Sequence, residues 1–595
     1  MISRRERLAS DLRLAATTAR TVRGFLTLRP DSAFSVADAI EAQTERTPDH
    51  PALIYEDRQL TYRELDRSAN RVARWAQSQG LARGDVVALL MGNRPEYVVH
   101  WLGLAKLGVV SALINTNLTG APLAHTLRVA DAKQLILGAE QAENWASARD
   151  HLDTTPSVWS SGGSVPGARD LDAEVAGRSP VPLGKQIREG LKAKDRLFYI
   201  YTSGTTGLPK AANFSHFRFL ATARSGGAIS RLGPQDRMYV PLPLYHTAGG
   251  VMALGSALMA GATAVLARRF SASRFWEDCV RHDVTAFQYI GELCRYLINS
   301  PSHPDERRHR VRLCIGNGLR PEIWQAFRDR FQIRDIIEFY GATEGNVVFI
   351  NLDNRVGSIG RLPGLVRRAM GIHLVRFDVA KEQVVRDSDG FCVDCGPGEA
   401  GEAIGRIAGA SRFEGYSDAA ATEKKVLRNV FSQGDAYFRT GDLLRFDEDD
   451  YFYFVDRIGD TFRWKGENVS TNEVSEVVSV CPGVEEANVY GVEVSGTDGR
   501  AGMAALVVGV DFDMDAFARH VAGELASYAR PLFIRLSGGL RVTGTFKQRK
   551  VELVEEGFDP ARVGDPLYFL DAAEGRYVPL GEELHQRITS GALRL

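Results

Sequence analysis

The segment Tyr199-Ile200-Tyr201-Thr202-Ser203-Gly204-Thr205-Thr206-Gly207-Leu208-Pro209-Lys210 constrains this chain more than any other stretch. An apolar strand end, Leu197 to Tyr201, runs directly into hydroxyl side chains, two glycines and a lysine. Glycine lets a backbone approach a polyanion closely, while N–H groups and hydroxyls donate to phosphate oxygens. Lys210 adds a positive charge that fits a pyrophosphate. A P-loop NTPase carries its lysine directly after the last glycine. Here Leu208 and Pro209 intervene, so the segment is a phosphate turn of another kind.

The chain around this turn alternates helix and strand. Thr61 and Glu64 form a capping box, T-x-x-E, that opens a helix running to about Gln79. The apolar run Val86 to Leu90 reads as a buried strand, followed by a helix over Glu96 to Leu107 and a second apolar run, Val109 to Ile114. Such a βαβ rhythm implies a parallel sheet covered by helices. Thr154 to Pro182, rich in Ser, Gly and Pro, reads as a surface excursion. Alternation resumes from Asp195 to about Gly360. Gly-rich turns between Gly390 and Tyr453 indicate a smaller β-rich subdomain, and a compact α+β pattern follows Asp456. At 595 residues the chain exceeds one hydrophobic core, so more than one domain is expected.

Further segments carry chemistry. Tyr340-Gly341-Ala342-Thr343-Glu344-Gly345 lies 130 residues beyond Lys210, and its carboxylate suits Mg²⁺ held together with phosphate oxygens. Gly316-Asn317-Gly318-Leu319 follows an apolar strand, Val311 to Ile315, and its small residues allow close approach of a ligand. Pro243-Leu244-Tyr245-His246-Thr247, Tyr437-Phe438-Arg439-Thr440-Gly441-Asp442 and Asp456-Arg457-Ile458-Gly459-Asp460 come next in the inventory. Arg463-Trp464-Lys465-Gly466-Glu467-Asn468 and Val542-Thr543-Gly544-Thr545-Phe546-Lys547 complete it.

Together with the phosphate turn, these segments resemble the signatures of the adenylate-forming superfamily of acyl-CoA synthetases, firefly luciferase and peptide-synthetase adenylation domains. Asp456 to Ser470, Ser527 to Phe533 and Thr543 to Lys547 look like the fatty-acid-transport-protein, or very-long-chain acyl-CoA synthetase, branch. The resemblance implies an α/β fold with a large multi-subdomain N-terminal domain of layered sheets and helices, and a small mobile α+β lid. Its domains would be a basic amphipathic arm at 1–33, an AMP- and acyl-binding domain at 34–456 and the lid at 457–595.

It also implies roles. Thr202, Ser203, Gly204, Thr205, Thr206, Gly207 and Lys210 would cradle phosphates. Tyr340 and Gly341 would meet adenine, with Gly318 beside them. Thr343 would touch the α-phosphate, and Glu344 would hold Mg²⁺. Asp442 would accept both ribose hydroxyls, a task for an acceptor-only carboxylate, and Arg457 would meet the ribose. His246, Gly316 and Asn317 would line the acyl pocket; a fatty acid is already ionised at neutral pH, so His246 shapes the site rather than acting as a base. Gly459 falls at the hinge and Gly466 in the coenzyme A tunnel. Lys547 would drive adenylation, although Phe546 stands where relatives more often have glycine, which keeps Lys550 as a second candidate. The expected reaction is ATP-dependent ligation of a fatty acid, long or very long, to coenzyme A through acyl-AMP. Loading of a separate carrier protein and fatty-acid uptake are the alternatives.

Composition excludes other classes. A formal charge of −1, from 73 Lys+Arg against 74 Asp+Glu, gives no basic excess for nucleic acid. Six cysteines in so long a chain make no disulfide framework, and Cys392 with Cys395 reads as a turn. Ala248 to Ala267 has twenty residues without a charge, the length of a membrane span, but its Gly and Ala content fits a helix ending near Gly261 and a short buried strand better. A cytoplasmic protein is expected. The opening arm holds seven Arg against Glu6 and Asp11, and Leu8, Leu12, Ala15, Ala19, Val22 and Leu26 recur at helical spacing. That stripe either lies on the inner face of an anionic membrane or docks on the protein's own body.

Overall fold

The computed structural model describes residues 3–25, 28–202, 209–341, 345–379, 381–408, 413–464, 467–495, 497, 499–540, 550–572 and 574–593. The chain builds layered sheets whose strands alternate with helices. One sheet of eight strands takes β1 (Pro51–Tyr55), β2 (Arg58–Thr61), β10 (Arg237–Val240), β11 (Thr263–Leu266), β12 (Ala286–Ile290), β13 (Leu313–Asn317), β14 (Asp335–Gly341) and β15 (Val348–Asn351). A second, of seven, takes β3 (Val86–Leu90), β4 (Val110–Leu113), β5 (Gln134–Gly138), β6 (Ser157–Ser161), β7 (Arg169–Asp170), β8 (Arg196–Thr202) and β9 (Lys210–Ser215).

In the larger sheet β10 to β14 and β1 run parallel, with β2 and β15 antiparallel at the two edges. The five residues of β3 are all buried, as expected of a parallel strand covered on both faces. The capping box forms as the sequence predicts: Thr61 accepts from the Glu64 amide, the Glu64 carboxylate accepts from the Thr61 amide, and the helix Tyr62–Ser78 follows. Trp75 of this helix packs edge-on against Trp159, their centroids 5.2 Å apart.

Two expectations change. The stretch Thr154 to Pro182 is more than an excursion, because β6 buries Trp159, Ser160 and Ser161 and extends the second sheet. The β-rich subdomain begins earlier, at the strand Ser358–Arg361, which pairs with Tyr451–Arg457 in a seven-stranded sheet. Cys392 and Cys395 are buried thiols in two apolar clusters, and burial raises the pKa of both. The uncharged stretch behaves as read: a π-helix, Thr247–Gly255, runs into a helix ending at Ala260, Gly261 turns the chain at φ +71°, and β11 is wholly buried. Among the described residues no helix is long and apolar enough to cross a membrane.

After Asp460 a five-stranded sheet with its helices builds a core of its own, from Phe462 to Ile588. The arm forms helix α1 (Arg4–Phe25), and its docking side inverts one of the two readings. Ser10 and Thr17 are buried, whereas Leu8, Leu12 and Val22 are 61%, 62% and 50% exposed. The polar side is the one held. Arg7 pairs with Asp449, Arg13 with Asp353 at 2.6 Å, and the buried Arg361 with Asp11 at 2.6 Å.

Candidate active site

Parallel strands leave a ligand crevice beyond their carboxyl ends, and three predicted segments emerge along one such edge. His246 follows β10 and precedes the π-helix. Gly316 and Asn317 end β13, with Gly318 next, and Tyr340 and Gly341 end β14. Register makes the neighbours explicit: Ile290 of β12 lies beside Asn317, and Gly316 beside Glu338. Glycine is required at two of these places. A Cβ on Gly316 would collide with the Tyr289 carbonyl oxygen, and Gly318 turns at φ +80°, a conformation that favours glycine.

Tyr340 reaches from β14 into the neighbouring sheet, where its hydroxyl donates to the Asp442 carboxylate at 2.6 Å. Burial, then the Asp442 charge, holds that phenol well above its usual pKa. Asp442 and Arg457 face each other on adjacent strands, Ala436–Phe446 and Tyr451–Arg457, with the guanidinium 3.6 Å from the carboxylate. An aromatic face, a carboxylate and a guanidinium thus meet beside the glycine loop. Thr202, the last residue of β8, pairs with Lys210, the first of β9, which brings the two ends of the phosphate segment together.

Three residues absent from the sequence reading complete the frame. Arg218, on the helix His216–Ile229 that follows the hairpin, donates to the Gly345 carbonyl at 2.5 Å and so ties the phosphate hairpin to the Tyr340 segment. Lys425 donates to the Thr440 carbonyl at 3.1 Å, with its ammonium beside Gly441. Glu338 is buried behind the glycine loop; it accepts from the Gly318 amide, and from the Tyr289 hydroxyl at 2.5 Å. An acid inside the apolar strand Ile336 to Tyr340 is the one sequence signal that would have singled it out.

Burial pushes the Glu338 carboxyl up to about 8, against the opposing pull of its hydrogen bonds. A carboxyl whose folded value lies above its unfolded one stabilises the fold fully below the unfolded value of 4.5, and that contribution is lost as pH rises through about 8. Thermal midpoints measured from pH 6 to 9 should therefore fall with pH, and Glu338→Gln, which cannot ionise, should flatten the decline. Parallel profiles for the two proteins would remove Glu338 as its source.

Ser203, Gly204, Thr205, Thr206, Gly207, Thr343, Glu344, Gly466 and Lys547 lie outside the described residues. Gly459 turns at φ +95°, with open space where a Cβ would stand. Lys550 is engaged: its ammonium meets Asp460 at 3.0 Å and the Thr471 hydroxyl at 2.8 Å. Beyond the hinge position, Arg320 donates to Ser479 at 2.8 Å and Arg295 to the Glu485 carbonyl at 2.5 Å.

A phosphate hairpin at the edge of one sheet, a glycine loop at the carboxyl end of another and a tyrosine–aspartate–arginine cluster reaching into a third are the frame of an adenylate-forming enzyme. Two family models match the chain, AMP-binding enzyme over residues 40–416 and AMP-binding enzyme C-terminal domain over 473–547. The chain is 45% identical to long-chain fatty acid transport protein 1 of Mus musculus over 93% of its own length and 87% of that protein's. It is 41% identical to long-chain fatty acid transport protein 2 of Rattus norvegicus, over 98% and 94% of the two chains. Among solved structures, an anthranilate CoA ligase in complex with anthranoyl-AMP matches with a TM-score of 0.75 at 24% identity, covering 87% of this chain and 96% of that one. The chain belongs to the family of AMP-binding enzymes, within the fatty-acid-transport-protein or very-long-chain acyl-CoA synthetase branch. It is an AMP-forming acyl-CoA synthetase that uses ATP, Mg²⁺ and coenzyme A.

Proposed function

We propose that the acid is a long- or very-long-chain fatty acid and that the residues named above divide the chemistry between two half-reactions. The contact between Tyr340 and Asp442 carries the nucleotide assignment, because it sets an aromatic face and a ribose-accepting carboxylate against the loop Gly316–Gly318. In the first half-reaction the fatty-acid carboxylate attacks the α-phosphate of ATP, the bond to the β-phosphate breaks, and acyl-AMP forms as pyrophosphate leaves. Backbone and hydroxyl donors of the hairpin, Lys210, Thr343 and Lys547 oppose the charge that develops there. Mg²⁺ supplies further neutralisation of the phosphates; it needs only one or two protein carboxylates alongside them, and Glu344 is the residue that would hold it. Residues 457–595 then turn about Gly459, withdraw Lys547 and bring Gly466 to the site, where the thiol of coenzyme A displaces AMP.

His246, half-buried at the head of the π-helix, shapes the entrance for the carboxylate. The curated relatives are named for long-chain fatty acids, which supports that acid class. Pyrophosphate release should rise with chain length across a series of saturated acids and require coenzyme A for turnover. Preference for aromatic or short acids would overturn the acid class. Turnover with a carrier protein instead of coenzyme A would favour carrier loading, and binding without pyrophosphate release would favour uptake.

The outward stripe of α1 supports a peripheral contact with an anionic bilayer. Leu8, Leu12 and Val22 are flanked by exposed Arg4, Arg5 and Arg23, and Leu365 and Met370 are exposed on the helix Gly364–Met370. Arg7 of α1 and Arg367 of that helix both lie near Asp450, which places the two patches side by side. Removing the arm would strip Asp11 from the buried Arg361, so truncation confounds membrane binding with folding. Leu8→Glu with Leu12→Glu is the cleaner change. It should reduce sedimentation with anionic vesicles about tenfold and leave turnover of short, soluble acids intact. Unchanged sedimentation would assign the stripe another role.

A further inference from the structure

We propose that a second site, a cavity of about 670 Å³ between α1, α2 (Val36–Arg46) and the helix His216–Ile229, binds the anionic head of an amphiphile. Its size falls within the range of small-molecule pockets. Four guanidinium groups line it: Arg20 of α1, Arg46 of α2, Arg224 and Arg231. Arg231 is neutralised by Asp335 at 2.7 Å. The other three make no ion pair among the described residues. Arg20 donates to the Thr17 hydroxyl at 2.9 Å, Arg46 to the Gln43 side chain, and Arg224 to the Gly24 carbonyl at 2.9 Å.

Arg224 is the most telling of them. It is half-buried and lies over the Phe34 ring, its guanidinium carbon 5.5 Å from the centroid. Burial, then the charge of Arg46, lowers its pKa. A half-buried guanidinium beside a second, exposed one is held at a cost that an anion joining them would offset. Among the described residues Glu45 is the one carboxylate lining the cavity, which leaves three cations against one anion once Arg231 is set aside. Guanidinium forks match the oxygens of a carboxylate or a phosphate monoester. The rest of the wall, including Phe34, Leu232, Met259 and Ala260, is apolar and suits the first carbons of a hydrocarbon chain. A free inorganic anion would leave that wall unused. The cavity therefore fits an anionic oxygen head carrying an alkyl chain, whether a free fatty acid or the phosphate head of a lipid.

None of these residues belongs to the nucleotide or acyl machinery, so the test separates cleanly from the synthetase reading. Binding of dodecanoate, dodecyl phosphate and inorganic phosphate to the full chain, without ATP, is measured by calorimetry alongside the Arg46→Gln/Arg224→Gln variant and Glu45→Gln. The double variant should weaken the dodecyl ligands at least tenfold, and Glu45→Gln, which removes the competing anion, should tighten them. Both proteins should keep the parent's thermal midpoint and adenylation rate with a short acid. A variant-sensitive site for dodecanoate alone identifies the fatty acid as the source. One for dodecyl phosphate alone identifies a phospholipid head, and one for both supports the shared chemistry. Inorganic phosphate binding as tightly as dodecyl phosphate, or affinities indifferent to all three substitutions, would overturn the proposal.

Discussion

Lys547→Ala should lose acyl-AMP formation by roughly a hundred- to a thousandfold while keeping thioester formation from supplied acyl-AMP. The first figure is that of deleting one preorganised charge from a site where negative charge develops, about 2.7–4 kcal/mol. The second follows from the lid: if residues 457–595 turn between half-reactions, Lys547 is away from the site when coenzyme A attacks. Lys550 is the necessary control, since Phe546 blurs which lysine the C-terminal segment presents. Its ammonium is held by Asp460 and Thr471, the latter also donating its amide to the buried Asp456 at 2.6 Å. Lys550 therefore ties residues next to the hinge to one another. Lys550→Ala should lower the thermal midpoint and slow both half-reactions by a similar, smaller factor. Adenylation and thioesterification measured separately decide the matter. Loss of adenylation alone in Lys550→Ala would make it the adenylation lysine, and equal loss of both steps in Lys547→Ala would remove the lid rotation.

The parts of this molecule that can be read from sequence are those whose cause is local. Thr61 and Glu64 satisfy each other's backbone donors, so the helix start needs no tertiary information. Val86 to Leu90 is apolar throughout because both its faces are covered, and the run alone marks the strand. Gly261 ends its helix through a conformation open to glycine. What escapes is pairing at long range. Periodicity identifies α1 as amphipathic, but only the positions of Asp353, Asp449 and Arg361 make the polar side the docked one. Thr154 to Pro182 has the composition of a loop, yet β5 offers an unpaired edge and β6 takes it. Arg218 and Lys425 carry no local signature; they matter because folding sets them beside Gly345 and Gly441. Glu338 lies between these cases, conspicuous as an acid in an apolar strand but silent about the loop it braces.

Asp442→Ala should weaken ATP and AMP binding by about 1–3 kcal/mol, roughly five- to 150-fold, because in the proposed site two ribose hydroxyls lose their acceptor. Part of that loss passes through Tyr340. Its hydroxyl is anchored on the same carboxylate at 2.6 Å, and without the anchor the ring is free to turn away from the glycine loop, where the proposed site would hold adenine. Tyr340→Phe keeps the aromatic face and removes only the anchor, so it should weaken nucleotide binding by less than Asp442→Ala. The two residues touch, so their effects should not add, and a double-mutant cycle reads the coupling directly. Calorimetric titration of AMP into the parent, both single variants and the double variant supplies the four affinities. If the double variant binds no more weakly than Asp442→Ala, the tyrosine hydroxyl acts through the carboxylate alone. Additive losses would give each residue its own contact with nucleotide. Unchanged affinity in Asp442→Ala would take the carboxylate, and with it the ribose assignment, out of the site.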